Sequence, residues 1–196
     1  MEAALPPETS FARRDHQEEA IMILSPLDRL VLARFRRIHA DHTGQRSAIG
    51  GHKGPMEQVD QELISRSPAA ILHIEGAVLA DFLGPADRFV RHLVHRWPRT
   101  SARIAALLFR TAFRSIVGPM RSGGDAIIDI SHCAFLAGGG RDACVIVCKK
   151  PTERYLFSRL GLQTKLYPDF ATGSCRVVMD THRGGERPNT PAALRD

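Results

Sequence analysis

An α+β fold follows from three features of this 196-residue sequence. Apolar residues recur at helical spacing through five segments ending near Val117. After Gly118-Pro119 the pattern turns to short strand-like runs, and all four cysteines fall in that second part, between Cys133 and Cys175. The expected architecture is an N-terminal helical layer packed on a small mixed α/β module that bears the cysteines. Residues 1–22 and 181–196 mix proline and charge with little periodicity and are expected to be flexible tails. Between them, residues 23–180 are expected to form a single domain, helical over 23–118 and with the cysteine module over 119–180.

The elements follow in order. Ser25-Pro26-Leu27-Asp28 is a helix start, with Ser25 as N-cap, Pro26 in the first turn and Asp28 facing the positive end of the helix dipole; Leu27, Leu30, Val31, Phe35 and Ile38 carry the helix to about Ala40. Residues 43–55 are rich in Gly, Ser and His and read as a loop. Met56, Val59, Leu63 and Ile64 mark a second helix, and Ser67-Pro68 opens a third that runs through Ile71, Ile74, Val78 and Leu79 to Gly84. Two more helices, Pro85 to Val94 and Arg99 to Val117, break near Trp97-Pro98. Ala126 to Ile130 is strand-like, Thr152 to Leu160 is a short amphipathic helix closed by Gly161, and Thr164 to Tyr167 and Cys175 to Met179 are strand-like again.

Composition narrows the function classes. An apolar share of 43% and a charged share of 24% are those of a globular chain, and no apolar run approaches the roughly 18 residues of a membrane-spanning helix. The net charge of +6 comes almost wholly from arginine, lysine occurring only at Lys53, Lys149, Lys150 and Lys165. Such a balance suits anionic partners: nucleic acid or the surface of a charged membrane. Nucleic acid is disfavoured, since there is no helix-turn-helix spacing, paired zinc-finger ligand set or aromatic platform. The segment Arg88 to Trp97, followed by Leu107, Leu108, Phe109 and Phe113 interleaved with Arg103, Arg110 and Arg114, is basic on one side and apolar on the other. It reads either as a core helix with a solvated face or as a peripheral membrane contact. The amino terminus shows neither signal nor transit peptide, so the expected location is cytoplasmic, peripheral to the inner face of a membrane, where thiols stay reduced.

The cysteines are spaced C-x10-C-x3-C-x26-C, unlike the paired C-x2-C of common zinc ribbons. In a reducing compartment such a cluster points to metal binding or catalysis; four buried cysteines acting as small apolar residues is the competing reading. Cys144 and Cys148, four apart, share a face if Ala143 to Lys149 is helical. Pro151 is expected to stop that helix, and Gly138-Gly139-Gly140 to let the chain fold back tightly. Lys149 and Lys150 are expected to lower the Cys148 pKa. His132 abuts Cys133 and is a candidate further ligand, a mixed Cys/His shell suiting iron or zinc. His39-x2-His42 and His92-x2-His95 have the spacing of helical ligand pairs, although solvated surface histidines are the commoner reading.

Four segments carry a family resemblance: Cys133-x-Phe135-Leu136, Cys144-x3-Cys148-Lys149-x-Pro151-Thr152, Leu160-Gly161-Leu162 and Pro168-x-Phe170-x3-Ser174-Cys175. Together they resemble the carboxy-terminal domain of the plant beta-carotene isomerases of strigolactone synthesis, with weaker similarity at Phe35-Arg36 and over residues 54–63. The resemblance implies a bacterial-type relative of iron-containing enzymes that convert all-trans to 9-cis beta-carotene. The plant pattern has a further cysteine where this chain has Gly138 to Asp142, which, if that cysteine is a ligand, implies a metal site that is altered or absent. On this reading Cys133, Cys144, Cys148 and Cys175, with His132, hold iron, either non-haem or as an iron-sulfur cluster, with zinc as the alternative, and Lys149 tunes the thiolates. The expected activity is cis/trans isomerisation of a carotenoid or similar apolar polyene. The alternatives are a non-catalytic metal-binding adaptor at a membrane surface and an iron-dependent oxidoreductase on another apolar substrate. Phe109, Phe113 and Phe135 are candidates to line an apolar channel. The oligomeric state is open.

Overall fold

The computed structural model describes residues 25–49 and 53–180. The expected tails lie outside the described residues. Five helices come first: α1 (Pro26–Thr43), α2 (Lys53–Ser65), α3 (Pro68–Leu83), α4 (Pro85–Arg96) and α5 (Pro98–Val117). Then come β1 (Met120–Gly124), β2 (Ile127–Ile130), a helical run from Ala134 to Leu160, β3 (Gln163–Asp169) and β4 (Ser174–Asp180). The fold is α+β.

The start of α1 is built as its sequence predicts. The Ser25 hydroxyl accepts the Asp28 backbone N–H at 3.2 Å, and the Asp28 carboxylate accepts the Ser25 backbone N–H at 3.2 Å, closing a reciprocal cap. Arg114 of α5 donates two hydrogen bonds to the same carboxylate, at 2.9 and 3.1 Å. Hydrogen bonding to Arg114 therefore holds the Asp28 carboxyl below the usual carboxylate range. A depressed folded pKa gives stability that is present above the unfolded value of 3.8 and is lost as pH falls through the folded one. Asp28→Asn is expected to lower stability by about 1 kcal/mol near neutral pH. Melting curves between pH 5 and pH 2.5 should converge for the variant and the wild type.

The sheet is antiparallel throughout, in the order β1-β2-β4-β3, with Ile128 opposite Val177 and Leu166 opposite the same Val177 on the other side. Alternation puts Cys175, Val177 and Met179 of β4 on the buried face with Ile128, Ile130 and Leu166. One hydrophobic core joins this face to the helices. Within the helical layer, Phe35, Phe82, Phe113 and Phe109 form a chain of ring contacts: Phe82 meets Phe35 edge-on at 5.5 Å and Phe113 at 5.4 Å, and Phe113 stacks on Phe109 at 4.3 Å.

Three sequence expectations are corrected. First, β1 was not anticipated, because Met120-Arg121-Ser122-Gly123-Gly124 carries no strand pattern; it is a mostly exposed edge strand paired only with β2. Second, the tight break expected over Gly138-Gly139-Gly140 falls at a single residue: in α6 (Ala134–Asp142) two helical pieces meet at a kink at Gly140, where φ is +67°. Gly138 is needed for close packing, since a Cβ there would stand 2.9 Å from Met56 Cγ of α2. Third, Pro151 does not end its helix. A π-helical segment π1 (Ala143–Lys149) passes directly into α7 (Lys150–Tyr155), where Pro151 sits in the first turn, and on into π2 (Leu156–Leu160), capped by left-handed Gly161. The missing proline N–H falls where the hydrogen-bond register changes from π to α, which is where a helix tolerates it.

The switch from helices to sheet turns on Gly118. Its φ is +126°, and a Cβ would lie 2.2 Å from the His132 carbonyl oxygen. Gly118→Ala is expected to destabilise by about 1–3 kcal/mol through backbone strain alone, with the clash adding to it, measurable as a lowered urea midpoint at unchanged slope.

Candidate functional site

Sheet and helix bring the four cysteines to one region. Cys133 follows β2 at the start of α6, and its backbone N–H donates to the Gly173 carbonyl at 2.9 Å, which ties it to the β3–β4 turn. Cys175 enters β4 just after that turn, opposite Ile130 on one side and Pro168 on the other. Cys144 and Cys148 come from π1, whose wider turn still places residues four apart on nearly one face. All four thiols are free.

Electrostatics ties them together. Burial pushes the Cys148 thiol well above its usual range, and Cys133, Cys144, Cys175 and Glu75 of α3 each add to the rise. Some of the Cys148 surface still meets solvent, although its thiol is densely enclosed. Burial likewise raises Cys133, takes Cys144 up to about 11 and Cys175 up to about 12. The expectation that lysine would lower the Cys148 pKa is therefore corrected. Lys149 is drawn away: its ammonium donates to Glu153 Oε1 at 2.5 Å and to the Leu166 carbonyl at 2.6 Å, and its smaller lowering effect falls on Cys144 and Cys175. Lys150 and His132 are exposed.

A second group of donors lies in the helical layer. His39 of α1, Glu62 of α2 and Glu75 of α3 are 2%, 0% and 4% exposed. The His39 Nε2 stands 3.0 Å from Glu75 Oε1 and 3.4 Å from Glu62 Oε2. Both Glu62 oxygens and His39 Nδ1 are buried without a hydrogen-bond partner. Burial alone would push the His39 imidazole down, but the close Glu62 and Glu75 carboxylates and their charges outweigh it, so its pKa rises to about 9. Burial raises the Glu75 carboxyl, with His39 opposing. Among the described residues these three donor atoms lie within 4.8 Å of one another, whereas no three cysteine sulfurs meet that limit.

Sequence reasoning singled out His39 only through its spacing to His42 and passed over both glutamates. The two histidines part company in the fold, since His42 contacts Asp81 at 2.8 Å instead. The legible signal was a carboxylate inside an apolar stripe: Glu75 lies on the buried face of α3 with Ile71, Val78, Leu79 and Phe82, and His39 on that of α1 with Leu32 and Phe35. His92 and His95 are exposed. Phe109, Phe113 and Phe135 are packed in the core. A cleft of about 220 Å³ between α5 and the β1–β2 hairpin is walled by Ala106, Leu107 and Ile127, with Arg103 and Arg110 beside them.

Residues 114–186 match the family model for beta-carotene isomerase D27-like, C-terminal. The D27-like match takes in every cysteine of the chain and the whole sheet, and confirms for that region the resemblance carried by the cysteine segments. His39, Glu62 and Glu75 lie outside it. No curated protein and no solved structure matches the chain.

The D27-like module's donors can be weighed against the iron that the family implies. Soft thiolates suit iron-sulfur chemistry, and four free thiols in mutual electrostatic reach supply them. Thiolates on a single ion, each at about 2.3 Å, lie within roughly 4.6 Å of one another, closer than these sulfurs approach as a set. As they stand, these sulfurs would have to draw closer to hold one ion.

Proposed function

We propose that this protein is a metal-dependent cis/trans isomerase of a carotenoid or similar long apolar polyene. The observation that carries this reading is the D27-like match over residues 114–186, which takes in Cys133, Cys144, Cys148 and Cys175. Iron bound there would supply reversible electron exchange or Lewis-acid polarisation, either of which lowers the order of a double bond without net oxidation. Cys133, Cys144, Cys148 and Cys175 are the residues to hold it. Their raised pKa values mean that protons leave as the metal enters, so loading is favoured by higher pH. Lys149 fixes π1 to β3 through Glu153 and the Leu166 carbonyl, setting the Cys144–Cys148 face against the strand pair that carries Cys175.

Substrate delivery favours a membrane surface. The cleft beside α5, at about 220 Å³, is below the roughly 300–1,000 Å³ of pockets that enclose drug-sized ligands, so a long polyene is not swallowed there. Phe89 and Trp97 stand 56% and 54% exposed at and beyond α4, among exposed Arg88, Arg91 and Arg96. Aromatic side chains among arginines suit the headgroup layer of an anionic bilayer, the phase in which carotenoids dissolve. Replacing Phe89 and Trp97 together by alanine is expected to reduce sedimentation with anionic vesicles at least 10-fold while leaving the circular dichroism spectrum unchanged.

The test of activity is incubation of the iron-loaded protein with all-trans beta-carotene in mixed micelles, followed by chromatography and mass measurement. A cis isomer of unchanged mass supports the isomerase. A product of altered mass would make the protein an oxidoreductase, and no turnover with bound metal would leave an adaptor.

A further inference from the structure

We infer that His39, Glu62 and Glu75 form a second metal site, a one-histidine, two-carboxylate site for a first-row divalent cation, separate from the cysteines. Three helices each contribute one donor to it, from α1, α2 and α3, and the three donor atoms lie within 4.8 Å of one another. That compactness matches a single ion, whose nitrogen and oxygen ligands each stand roughly 2.0–2.2 Å away.

Burial of Glu62 is the second observation. A carboxylate with no solvent exposure and neither oxygen hydrogen-bonded is strongly disfavoured unless something positive faces it. The single His39 Nε2 stands between two carboxylates, hydrogen-bonds Glu75 and lies 3.4 Å from Glu62 without hydrogen-bond geometry. One proton on one nitrogen cannot satisfy two carboxylates. A divalent cation in its place gives both glutamates an oxygen-seeking partner and leaves the imidazole neutral as a nitrogen ligand, so the charge of the trio closes at zero.

The donor set selects the class of ion. Two carboxylates and one imidazole are hard to borderline donors, which suit manganese, ferrous iron or zinc; manganese is the one of these that has least use for the thiols. Three protein ligands leave coordination positions open to water or a small ligand. Phe35, which precedes His39 by one turn, has its ring 6.0 Å from the imidazole and starts the aromatic chain. Glu75 is also the carboxylate whose charge reaches Cys148, so the two centres are neighbours.

Manganous ion is the probe, because its solution electron-paramagnetic-resonance signal is lost when it binds. Full-length protein stripped with chelator is expected to bind about one equivalent. Glu62→Gln is expected to weaken binding at least 10-fold, and Cys148→Ser to leave it unchanged because hard manganese does not need the thiol. Glu75→Gln provides the same comparison if Glu62→Gln does not fold. Retained binding in Cys148→Ser keeps this outcome distinct from any failure of the isomerase reading. No manganese binding by the wild type, or equal binding by both glutamine variants, would overturn the site and leave a buried ion cluster.

Discussion

Replacing His39 with alanine is expected to destabilise the metal-free protein by about 3–5 kcal/mol, the usual loss when one partner of a buried ion pair is removed. The substitution strands Glu62 and Glu75, buried and facing the same space, without their only cation among the described residues within 4 Å. At this chain length the melting temperature should fall by on the order of 10 °C. Adding Glu62→Gln to His39→Ala should recover part of the loss, because it removes one of the two stranded charges; a double-mutant cycle reads that coupling directly. The pH dependence has a fixed sign. His39 is raised from 6.5 to about 9, so its contribution is fully present below pH 6.5 and is lost as pH rises through 9. Wild-type melting temperature measured in chelator should therefore decline from pH 6.5 to beyond pH 9, and the His39→Ala protein should lack that component of the slope.

The second large effect is expected at Cys148. Its thiol is densely enclosed and is pushed up by burial and by the charges of Cys133, Cys144, Cys175 and Glu75, so Cys148→Ser removes one of the four candidate donors. Serine keeps the shape and replaces sulfur by a harder oxygen, which disfavours iron at a sulfur-rich centre. Iron content and isomer formation are both expected to fall at least 100-fold, against a stability loss of only about 1–3 kcal/mol for a newly buried hydroxyl. A variant that stays folded but colourless and inactive separates the metal role from packing. Cys175→Ser, from the sheet side, should behave alike. If iron is retained in both, the cysteines are core residues.

Much of the fold could be read from local signals. Caps and prolines at Ser25-Pro26 and Ser67-Pro68 mark the starts of α1 and α3, and alternation in β4 marks its buried face. What escaped detection depends on partners distant in sequence. β1 is a strand only because β2 pairs with it, and Pro151 is tolerated only because π1 shifts the hydrogen-bond register ahead of it. The cysteines were legible as a group because they share one segment, and their region is the one that matches the D27-like family. His39, Glu62 and Glu75 are scattered over three helices and meet only through packing; a lone glutamate at 75 in an apolar stripe signals burial without naming its partners. Lys149 was legible as a charge beside Cys148 but not as a strut: Glu153 lies four residues on in the same helical run, whereas the Leu166 carbonyl comes within reach only when β3 folds back on α7.

X-ray absorption at the iron edge of anaerobically purified protein bears most directly on the convergence of the cysteines. Sulfur scatterers in the first shell, lost on replacing Cys148 by serine, are the expected result. A wild-type first shell made only of nitrogen and oxygen would contradict it.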